Sequence, residues 1–248
     1  PDYVTLPPPP GTAQFEDIPP LTDATFLPNL FVLGAAKSGT TTLYDYLQQS
    51  TLICMSKPKE PFFFEAEYHL GLEFYRKRYF PHWQGERFIG EARHRNLYLP
   101  YVPRRIAELN PAAKLLVILR NPAERAYSHW WYWHARGTDP LSFRDAIEAD
   151  FRCIENGYRL ETFEERTRYL QVLSKDGKGI YRTYLDSGYY FEQISRYLAL
   201  FPQEQLKIVL LDDIEQVPFR TITDIELFLG LQPRSEADFE AIHLNAHP

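Results

Sequence analysis

The sequence has little of what stabilises small secreted proteins or anchors a chain in a membrane. Its 248 residues include two cysteines, Cys54 and Cys153, which are too few for a disulfide framework and whose apolar neighbours favour buried free thiols. No spacing of cysteine and histidine matches a metal site, so we expect no bound metal. No run of about 18 apolar residues and no basic start before an apolar segment is present, so we expect neither a membrane span nor a signal peptide.

The sequence also has fewer basic than acidic residues, 27 against 33. The formal net charge is -6, which argues against a surface adapted to nucleic acid, although a local basic cleft is compatible with it. Together these absences predict a cytoplasmic protein that does not bind nucleic acid, and they leave its oligomeric state open. The chain does not begin with methionine, so a trimmed targeting segment or an excised domain also stays open.

Proline marks a boundary near the start of the chain. Residues 1–28 contain LPPPPG and IPPL and show no apolar period, which predicts an extended arm or linker. Over residues 29–248, short apolar runs alternate with helical patterns. This alternation predicts one α/β domain of three layers, in which helices cover both faces of a mostly parallel central sheet.

Periodicity and end signals locate the main elements of this domain. Apolar runs predict strands in LFVLGA, RFIGEA (87–92), AKLLVILR (113–120) and LKIVLLDDI (206–214). Helical spacing predicts helices in GTTTLYDYLQQ, YVPRRIAELNP, NPAERAYSHWWYWHAR, SFRDAIEAD, YYFEQISRYLALFP and TITDIELFLG. The third of these helices has Asn121 as its predicted N-cap and Pro122 at its first position.

The stretch NLFVLGAAKSGTTTLYDYL (29–47) is close to a nucleotide-binding loop but differs from it at one position. Gly34 and Gly39 have the spacing of a Walker A loop, yet Thr40 occupies the position of its lysine, and Lys37 lies inside the loop. A glycine loop between a strand and a helix offers unpaired backbone N–H groups and the positive end of the helix dipole. The loop therefore predicts an anion site; the alternative is a tight turn that only needs its glycines.

This loop and the later run LRNPAERAYS together resemble the phosphate-binding elements of sulfotransferases that use 3′-phosphoadenosine 5′-phosphosulfate (PAPS). The run SKPKEPFFF (56–64) resembles the segment that carries the acceptor-activating glutamate in the heparan-sulfate-type branch, and residues 187–214 resemble the family's late helix and strand. The resemblance covers residues 29–230. It implies a P-loop-like sulfotransferase fold and metal-free transfer of a sulfuryl group to an acceptor hydroxyl or amine, with 3′-phosphoadenosine 5′-phosphate (PAP) as the product.

The resemblance also implies roles for individual residues. Lys37 would stabilise the leaving phosphate, because PAPS has one 5′-phosphate and a sulfuryl group, whereas a kinase lysine must reach β and γ phosphates beside Mg²⁺. The residues that would bind the 5′-phosphosulfate are Ser38, Gly39, Thr40, Thr41 and Thr42. Arg120 and Ser128, eight residues apart, would bind the 3′-phosphate. The alternatives are an ion pair of Arg120 with Glu124 and a neutral helix position for Ser128.

Sulfuryl transfer also needs a base that takes the proton of the attacking hydroxyl. Glu60 is the candidate, because the run PFFF after it predicts a partly apolar wall that would raise the pKa of the carboxyl toward neutrality. One alternative is an ion pair of Glu60 with Lys57 or Lys59. Another is a histidine base, for which His94 and His129 are the candidates.

Two features depart from the family's pattern. Arg93, His94 and Arg95 follow GEA, where relatives have small or hydroxyl residues; the two arginines either meet an anionic acceptor or pair with local acids. The chain stops at HLNAHP, where relatives continue into a basic loop over the 3′-phosphate, so we expect the site to be incomplete there.

The acceptor is less defined than the donor. The acidic balance of the chain favours a small-molecule, lipid or carrier-tethered hydroxyl over a polymeric glycan. Two other functions stay as alternatives: a P-loop kinase or NTPase with Asp212 and Asp213 as metal ligands, and a non-catalytic nucleotide-binding module. The missing Walker lysine argues against the first, and the presence of both Lys37 and Glu60 argues against the second.

Overall fold

The computed structural model describes residues 26–155, 182–239 and 242. Most of the proline-rich stretch at 1–28 lies outside the described residues, so the arm stays a prediction. Phe26 already packs in the hydrophobic core. The strands are β1 (Leu30–Gly34), β2 (Ile53–Met55), β3 (Phe88–Ala92), β4 (Lys114–Leu119) and β5 (Leu206–Leu210).

These five strands form one sheet in the order β2-β3-β1-β4-β5, and each neighbouring pair is parallel. All residues of the central strand β1 are buried, which explains its continuous apolar run. β5 forms one edge of the described sheet, and its Ile208 and Leu210 are exposed. The parallel sheet confirms the predicted α/β class.

Helices cover both faces of this sheet. One apolar cluster joins Phe31 and Leu33 of β1 to residues of the helices at 71–79, 102–109 and 190–198. A second cluster joins Leu30 and Val32 to residues of the helices at 40–47, 211–216 and 218–228. The three predicted layers are therefore confirmed. The bounds of the described helices are α1 (Thr40–Leu47), α2 (Gly71–Tyr79), α3 (Arg95–Tyr98), α4 (Val102–Leu109), α5 (Pro122–His134), α6 (Phe143–Glu155), α7 (Tyr190–Leu198), α8 (Leu211–Gln216) and α9 (Pro218–Phe228).

The start of α5 follows the predicted capping pattern. The side chain of Asn121 accepts hydrogen bonds from the N–H groups of Ala123, at 3.0 Å, and of Glu124, at 3.4 Å. Pro122 is the first helical residue, where its missing N–H costs nothing. This cap fixes where α5 leaves the carboxyl end of β4. None of the helices within the described ranges has the length and apolar character needed to cross a membrane.

One predicted boundary is wrong, and three further elements were not predicted. The strand predicted over 206–214 ends at Leu210, and α8 begins at the next residue. Asp212 and Asp213 lie in the first turn of α8, where the helix dipole favours carboxylates. Two of these elements are too short for a clear period: β2 has three residues and α3 has four. The third is α2, whose buried residues are only Tyr75 and Tyr79.

Candidate active site

The candidate site lies at the carboxyl ends of the parallel strands. After β3 the chain crosses β1 to form β4 on its other side, so the end of β1 is a topological switch point, where open α/β sheets bind ligands. A cavity of about 860 Å³ opens there. Segments after β1, β3 and β4 line it, together with parts of α5 and α8.

The loop after β1 has the backbone that an anion site needs. The N–H of Ala35 donates to the carbonyl of Ile118 in β4, at 2.7 Å, which ties the start of the loop to the sheet. Gly39, the residue before α1, has φ 90°, a conformation that favours glycine. A Cβ at Gly39 would also lie 2.7 Å from Cδ1 of Leu211. The loop therefore presents the N-terminus of α1 to the cavity.

Lys37 lies in this loop with φ 64°, and its side chain lines the cavity. Among the described residues its ammonium has no hydrogen bond and no carboxylate within 4.0 Å; it lies 4.4 Å from the centroid of the Tyr132 ring. Burial lowers the pKa of Lys37, and the charges of Arg136 and Arg120 lower it further. Lys37 is thus an uncompensated cation that an anion would stabilise.

The other residues predicted to bind the donor divide into two sets. Thr40, Thr41, Thr42, Gly39 and Arg120 line the cavity together with Lys37. Ser38 and Ser128 are buried and do not line it among the described residues. The Ser128 hydroxyl also has no hydrogen-bond partner there. A buried hydroxyl without a partner is costly, and a ligand oxygen would satisfy it.

Arg120 makes the ion pair that the sequence offered as its alternative role. Its Nε lies 3.3 Å from Glu124 Oε2, and Glu124 is largely exposed. Such an exposed pair contributes little free energy, so it leaves the guanidinium available to a ligand. The Arg120 carbonyl accepts a hydrogen bond from the Tyr190 hydroxyl at 2.9 Å, which fixes this residue against α7.

Glu60 lies in the segment after β2, beside the end of β3. Its N–H donates to the carbonyl of Ala92, at 3.2 Å, and Nη1 of Arg93 donates to its carbonyl, at 3.0 Å. Its Oε2 lies 2.8 Å from Nδ1 of His94, and its Oε1 lies 3.2 Å from Nζ of Lys59. The ion pair with Lys59 that the sequence left open is therefore present, together with a histidine contact.

The expected direction of the Glu60 pKa is wrong. Burial raises the pKa, but the hydrogen bond and charge of His94, together with Lys59 and Arg93, outweigh it and lower the pKa of Glu60 to about 2. Burial also lowers the pKa of His94 by more than Glu60 raises it. Near neutral pH this pair is therefore an ionised carboxylate beside a neutral imidazole.

The two arginines after β3 pair with local acids, which is one of the two alternatives that the sequence left open. Arg93 and Arg95 both contact the carboxylate of Glu65, which is fully buried. The Arg93 guanidinium also lies 4.1 Å from the centroid of the Phe62 ring. Both arginines nevertheless line the cavity, where they form a wall whose charge is largely balanced.

Gly34 brings the two sides of the cavity together. A Cβ at this residue, which has φ 154°, would lie 2.9 Å from Cβ of Leu97 and 3.0 Å from the carbonyl oxygen of His94. Real Cβ atoms do not approach that closely. The absence of a side chain therefore lets α3 and His94 pack directly against the start of the loop.

Sequence reasoning missed the contacts that join distant segments. The pairing of Glu60 with His94 and the contact of Lys37 with Tyr132 have no local signal, because the partners come from different strands and helices. His129 lines the cavity, and burial together with the charge of Arg125 holds its pKa well below its usual range. It is therefore neutral. Among the described residues, no cluster of three or more potential metal ligands occurs.

These features define a class of protein. An anion site with an uncompensated lysine and an ionised carboxylate line one cavity on a parallel sheet, as expected for an enzyme that transfers a group from a phosphate-bearing donor. Comparison with known proteins narrows the class. The family model described as "Sulfotransferase domain" matches residues 27–245.

Individual relatives agree with this match. The membrane-associated sulfotransferase kil1 of Dictyostelium discoideum is 25% identical over 89% of this chain and 60% of its own length. The mouse bifunctional heparan sulfate N-deacetylase/N-sulfotransferase 4 is 31% identical over 84% of this chain and 23% of its own length. The chain thus spans less than two thirds of either relative. A sulfotransferase from Alicyclobacillus acidocaldarius superposes with a TM-score of 0.70, at 28% identity, over 90% of this chain and 88% of the other.

The chain belongs to the sulfotransferase family. This confirms the resemblance to PAPS-dependent sulfotransferases and the interpretation of the chain as an enzyme of that class. The P-loop-like sulfotransferase fold is confirmed by the same structural match. The roles of the individual site residues stay predictions.

Proposed function

We propose that this chain transfers the sulfuryl group of PAPS to an acceptor hydroxyl or amine. The observation that carries the proposal is that Lys37, Arg120 and Glu60 line one cavity at the switch point of the sheet. In such a transfer the bond from sulfur to the bridging oxygen of the donor breaks and a bond to the acceptor forms. The products are PAP and a sulfated acceptor, and the acceptor proton passes to a base.

In this proposal the donor carries phosphates at two positions, each held by its own group of residues. Arg120 and the buried Ser128 hydroxyl, which lacks a partner, would hold the 3′-phosphate. The residues that would hold the 5′-phosphosulfate are Ser38, Gly39, Thr40, Thr41 and Thr42. PAPS supplies an activated sulfuryl group to this arrangement. ATP has no 3′-phosphate to satisfy Arg120 and Ser128, so the same residues would discriminate against it.

Lys37 stabilises the negative charge that develops on the leaving phosphate. A preorganised cation in a water-poor cavity does this without reorganisation during the reaction. Its ammonium has no carboxylate partner among the described residues, so its charge is available to the donor. No metal ligand is part of this proposal, which leaves the charge at the leaving group to Lys37.

Glu60 acts as the base, and His94 acts with it. A carboxylate with a pKa of about 2 is a poor final proton acceptor, whereas an imidazole is a better one. Because Oε2 of Glu60 and Nδ1 of His94 are 2.8 Å apart, the neutral ring donates its Nδ1–H to the ionised carboxylate, which leaves Nε2 as the ring nitrogen that can take the acceptor proton, and the pair titrates as one unit. His129 is the remaining alternative, since it is neutral and lines the same cavity.

The acceptor is, in this proposal, a small-molecule, lipid or carrier-tethered hydroxyl rather than a polymeric glycan. The cations on the acceptor side, Lys59, Arg93 and Arg95, each lie beside a carboxylate, which weakens attraction for a polyanion. Phe62 and Trp133 add aromatic surface to the cavity. The heparan sulfate relatives represent the competing acceptor class. A cytoplasmic location stays part of the proposal, although one relative is named membrane-associated.

The experiment is a transfer assay with PAPS that carries ³⁵S. The chain is incubated with neutral alcohols, carrier-bound hydroxyls, lipids and heparan-type glycans, and labelled product is measured. Labelled neutral acceptor supports the whole proposal, and labelled glycan alone corrects the acceptor class. Calorimetry with PAP and ATP separates the other functions: preferred ATP binding indicates a kinase or NTPase, and tight PAP binding without transfer to any acceptor indicates a binding module.

A further inference from the structure

The ammonium of Lys37 has an unusual environment for a half-buried cation. The groups that face it from neighbouring elements are Arg120 at the end of β4 and His129, Tyr132 and Arg136 from α5 and the residues after it. Two of these are cations and His129 is neutral. Within the described ranges, the Tyr132 ring is therefore the one group in contact that favours the charged form of Lys37.

Tyr132 is well placed for this contact. It lies on α5 one turn after Ser128, and it lines the cavity. Arg136, one further turn along, has its Cζ 3.6 Å from the ring centroid, and its Nη1 donates to the Tyr132 carbonyl at 2.9 Å. The guanidinium thus packs on the ring from the exposed end of the helix and restricts its orientation.

We propose that Tyr132 is a positioning residue for Lys37. Its ring holds the ammonium inside the cavity before the donor binds, and Arg136 holds the ring. This inference rests on the proposed role of Lys37 in transfer. In this proposal an aromatic side chain of α5 orders a lysine of the anion loop after β1.

A ring suits this task better than a carboxylate would. A carboxylate would neutralise Lys37 and compete with the donor phosphate for it. A cation–π contact changes an equilibrium constant by only about threefold to thirtyfold, so an incoming anion displaces it readily. The ring therefore keeps the lysine side chain ordered without reducing the charge that the donor meets.

Chemical labelling of Lys37 in the ligand-free chain tests the contact directly. Acetic anhydride pulses are given at a series of pH values, and acetylation of the peptide that contains Lys37 is followed by mass spectrometry; the midpoint reports the pKa of Lys37. Tyr132→Leu should lower the midpoint by about half a unit or more, because the charged form loses its stabilising ring. Tyr132→Phe, which keeps the ring face, should retain the parental midpoint.

Tyr127→Leu is the matched control. Tyr127 is an exposed tyrosine of the same helix that does not line the cavity, so this variant should retain the parental midpoint. Tyr132→Met provides a second variant without a ring in case the leucine variant does not fold, as judged by circular dichroism. The proposal is overturned if the Leu and Met variants keep the parental midpoint, or if Phe shifts it as far as Leu does.

Transfer assays supply the second readout. The Leu and Met variants should lower kcat by about tenfold with little change in KM for PAPS, and Phe should restore most of the rate, since only the ring face is needed. Equal losses of kcat in Phe and Leu would overturn the positioning role. Full transfer by Lys37→Ala would instead refute the proposed role of Lys37, while leaving the labelling result intact.

Discussion

The cavity treats charge in opposite ways at its proposed donor end, around Lys37 and Arg120, and at its proposed acceptor end, around Glu60, Arg93 and Arg95. At the donor end, Lys37 has no carboxylate contact among the described residues, and Arg120 has only the largely exposed Glu124. At the acceptor end, Arg93 and Arg95 converge on Glu65, and Lys59 contacts Glu60. Similar side chains thus attract an anion at one end and balance each other at the other.

This difference suggests how one cavity separates two substrates. Uncompensated cations attract a polyanionic donor, whereas a balanced network holds its carboxylate ionised without drawing a second polyanion to the same place. The balance also explains why Glu60 has a pKa of about 2 although it is partly buried. The following experiments change the charge at one end and measure whether the other end responds.

The largest effect is expected for Glu60→Gln at the acceptor end. The substitution keeps the size of the side chain and removes its charge, so turnover should fall by about 10² to 10⁴ while PAPS binding stays nearly constant. Because the pKa of Glu60 is about 2, the loss should be similar at every pH from about 5 to 9. Steady-state rates across this range and calorimetry with PAP measure both quantities.

His94→Asn and the double variant show whether the pair acts as a unit. If it does, the double variant should lose little more than Glu60→Gln alone, because the effects of residues that act together are not additive. A Glu60→Gln variant with the parental rate would mean that the base is elsewhere. His94→Asn and His129→Asn would then be compared with it.

At the donor end, Lys37→Ala should lower turnover by about 10² to 10³, the scale of losing one preorganised charge in the transition state. Nucleotide binding should weaken less. Lys77→Ala is the matched control, since Lys77 is an exposed lysine of α2 paired with Glu73. A Lys37→Ala variant that sulfates acceptor at the control's rate would refute the assignment of the loop.

A smaller effect is expected for Arg120→Ala, which should weaken binding of PAP by about 1.5 to 3 kcal/mol, as for a charge-assisted hydrogen bond. Affinity for a ligand without the 3′-phosphate should hardly change. Arg104→Ala is the control, because Arg104 makes the same kind of exposed pair with Glu108, four residues on. Equal losses for both ligands in calorimetry would assign Arg120 a structural role instead.

The last prediction is for stability rather than activity and concerns Glu91, a buried carboxyl that contacts Tyr75 and Asn96. Burial raises its pKa to about 8, so its protonated form favours folding. That contribution is complete below the unfolded pKa near 4.5, and it is lost as pH rises to about 8, at about 1.4 kcal/mol or less for each pH unit.

Glu91→Gln cannot ionise and should flatten this dependence. Urea unfolding of parent and variant at several pH values from about 5 to 8 measures the slope of stability against pH. Asp224→Asn, on α9, serves as a control for the loss of an acidic group. Parallel slopes for parent and Glu91→Gln would show that Glu91 is ionised throughout, like Glu60.

Sequence reasoning succeeded where the signal is local. β1 and β4 are continuous apolar runs because both of their faces are buried, and α5 is marked by Asn121 and Pro122. Sequence reasoning failed where the contacting residue belongs to a distant segment of the chain. The run after Glu60 indicates an apolar wall, but the group that lowers its pKa, His94, follows a different strand, and no local pattern indicates that contact.

The boundary between β5 and α8 also depends on packing with distant segments. VLLDDI has the composition of a strand followed by acidic residues, and no glycine or proline marks the change to helix at Leu211. The helix begins there because Leu211 and Ile214 are buried with the apolar residues of α1 and α9, which is a tertiary effect. The same packing places Leu211 against Gly39, so the end of the sheet also shapes the anion loop.

The missing side chain of Gly34 also has a consequence for protein engineering. Position 34 sets the spacing between β1, which leads into the anion loop, and α3, which follows His94, so a single added methyl group there would push against both Leu97 and the backbone of His94. A substitution that widens the cavity for bulkier acceptors therefore has to keep the packing of the anion loop against the segment around His94. The residue to keep is thus one that does not itself line the cavity.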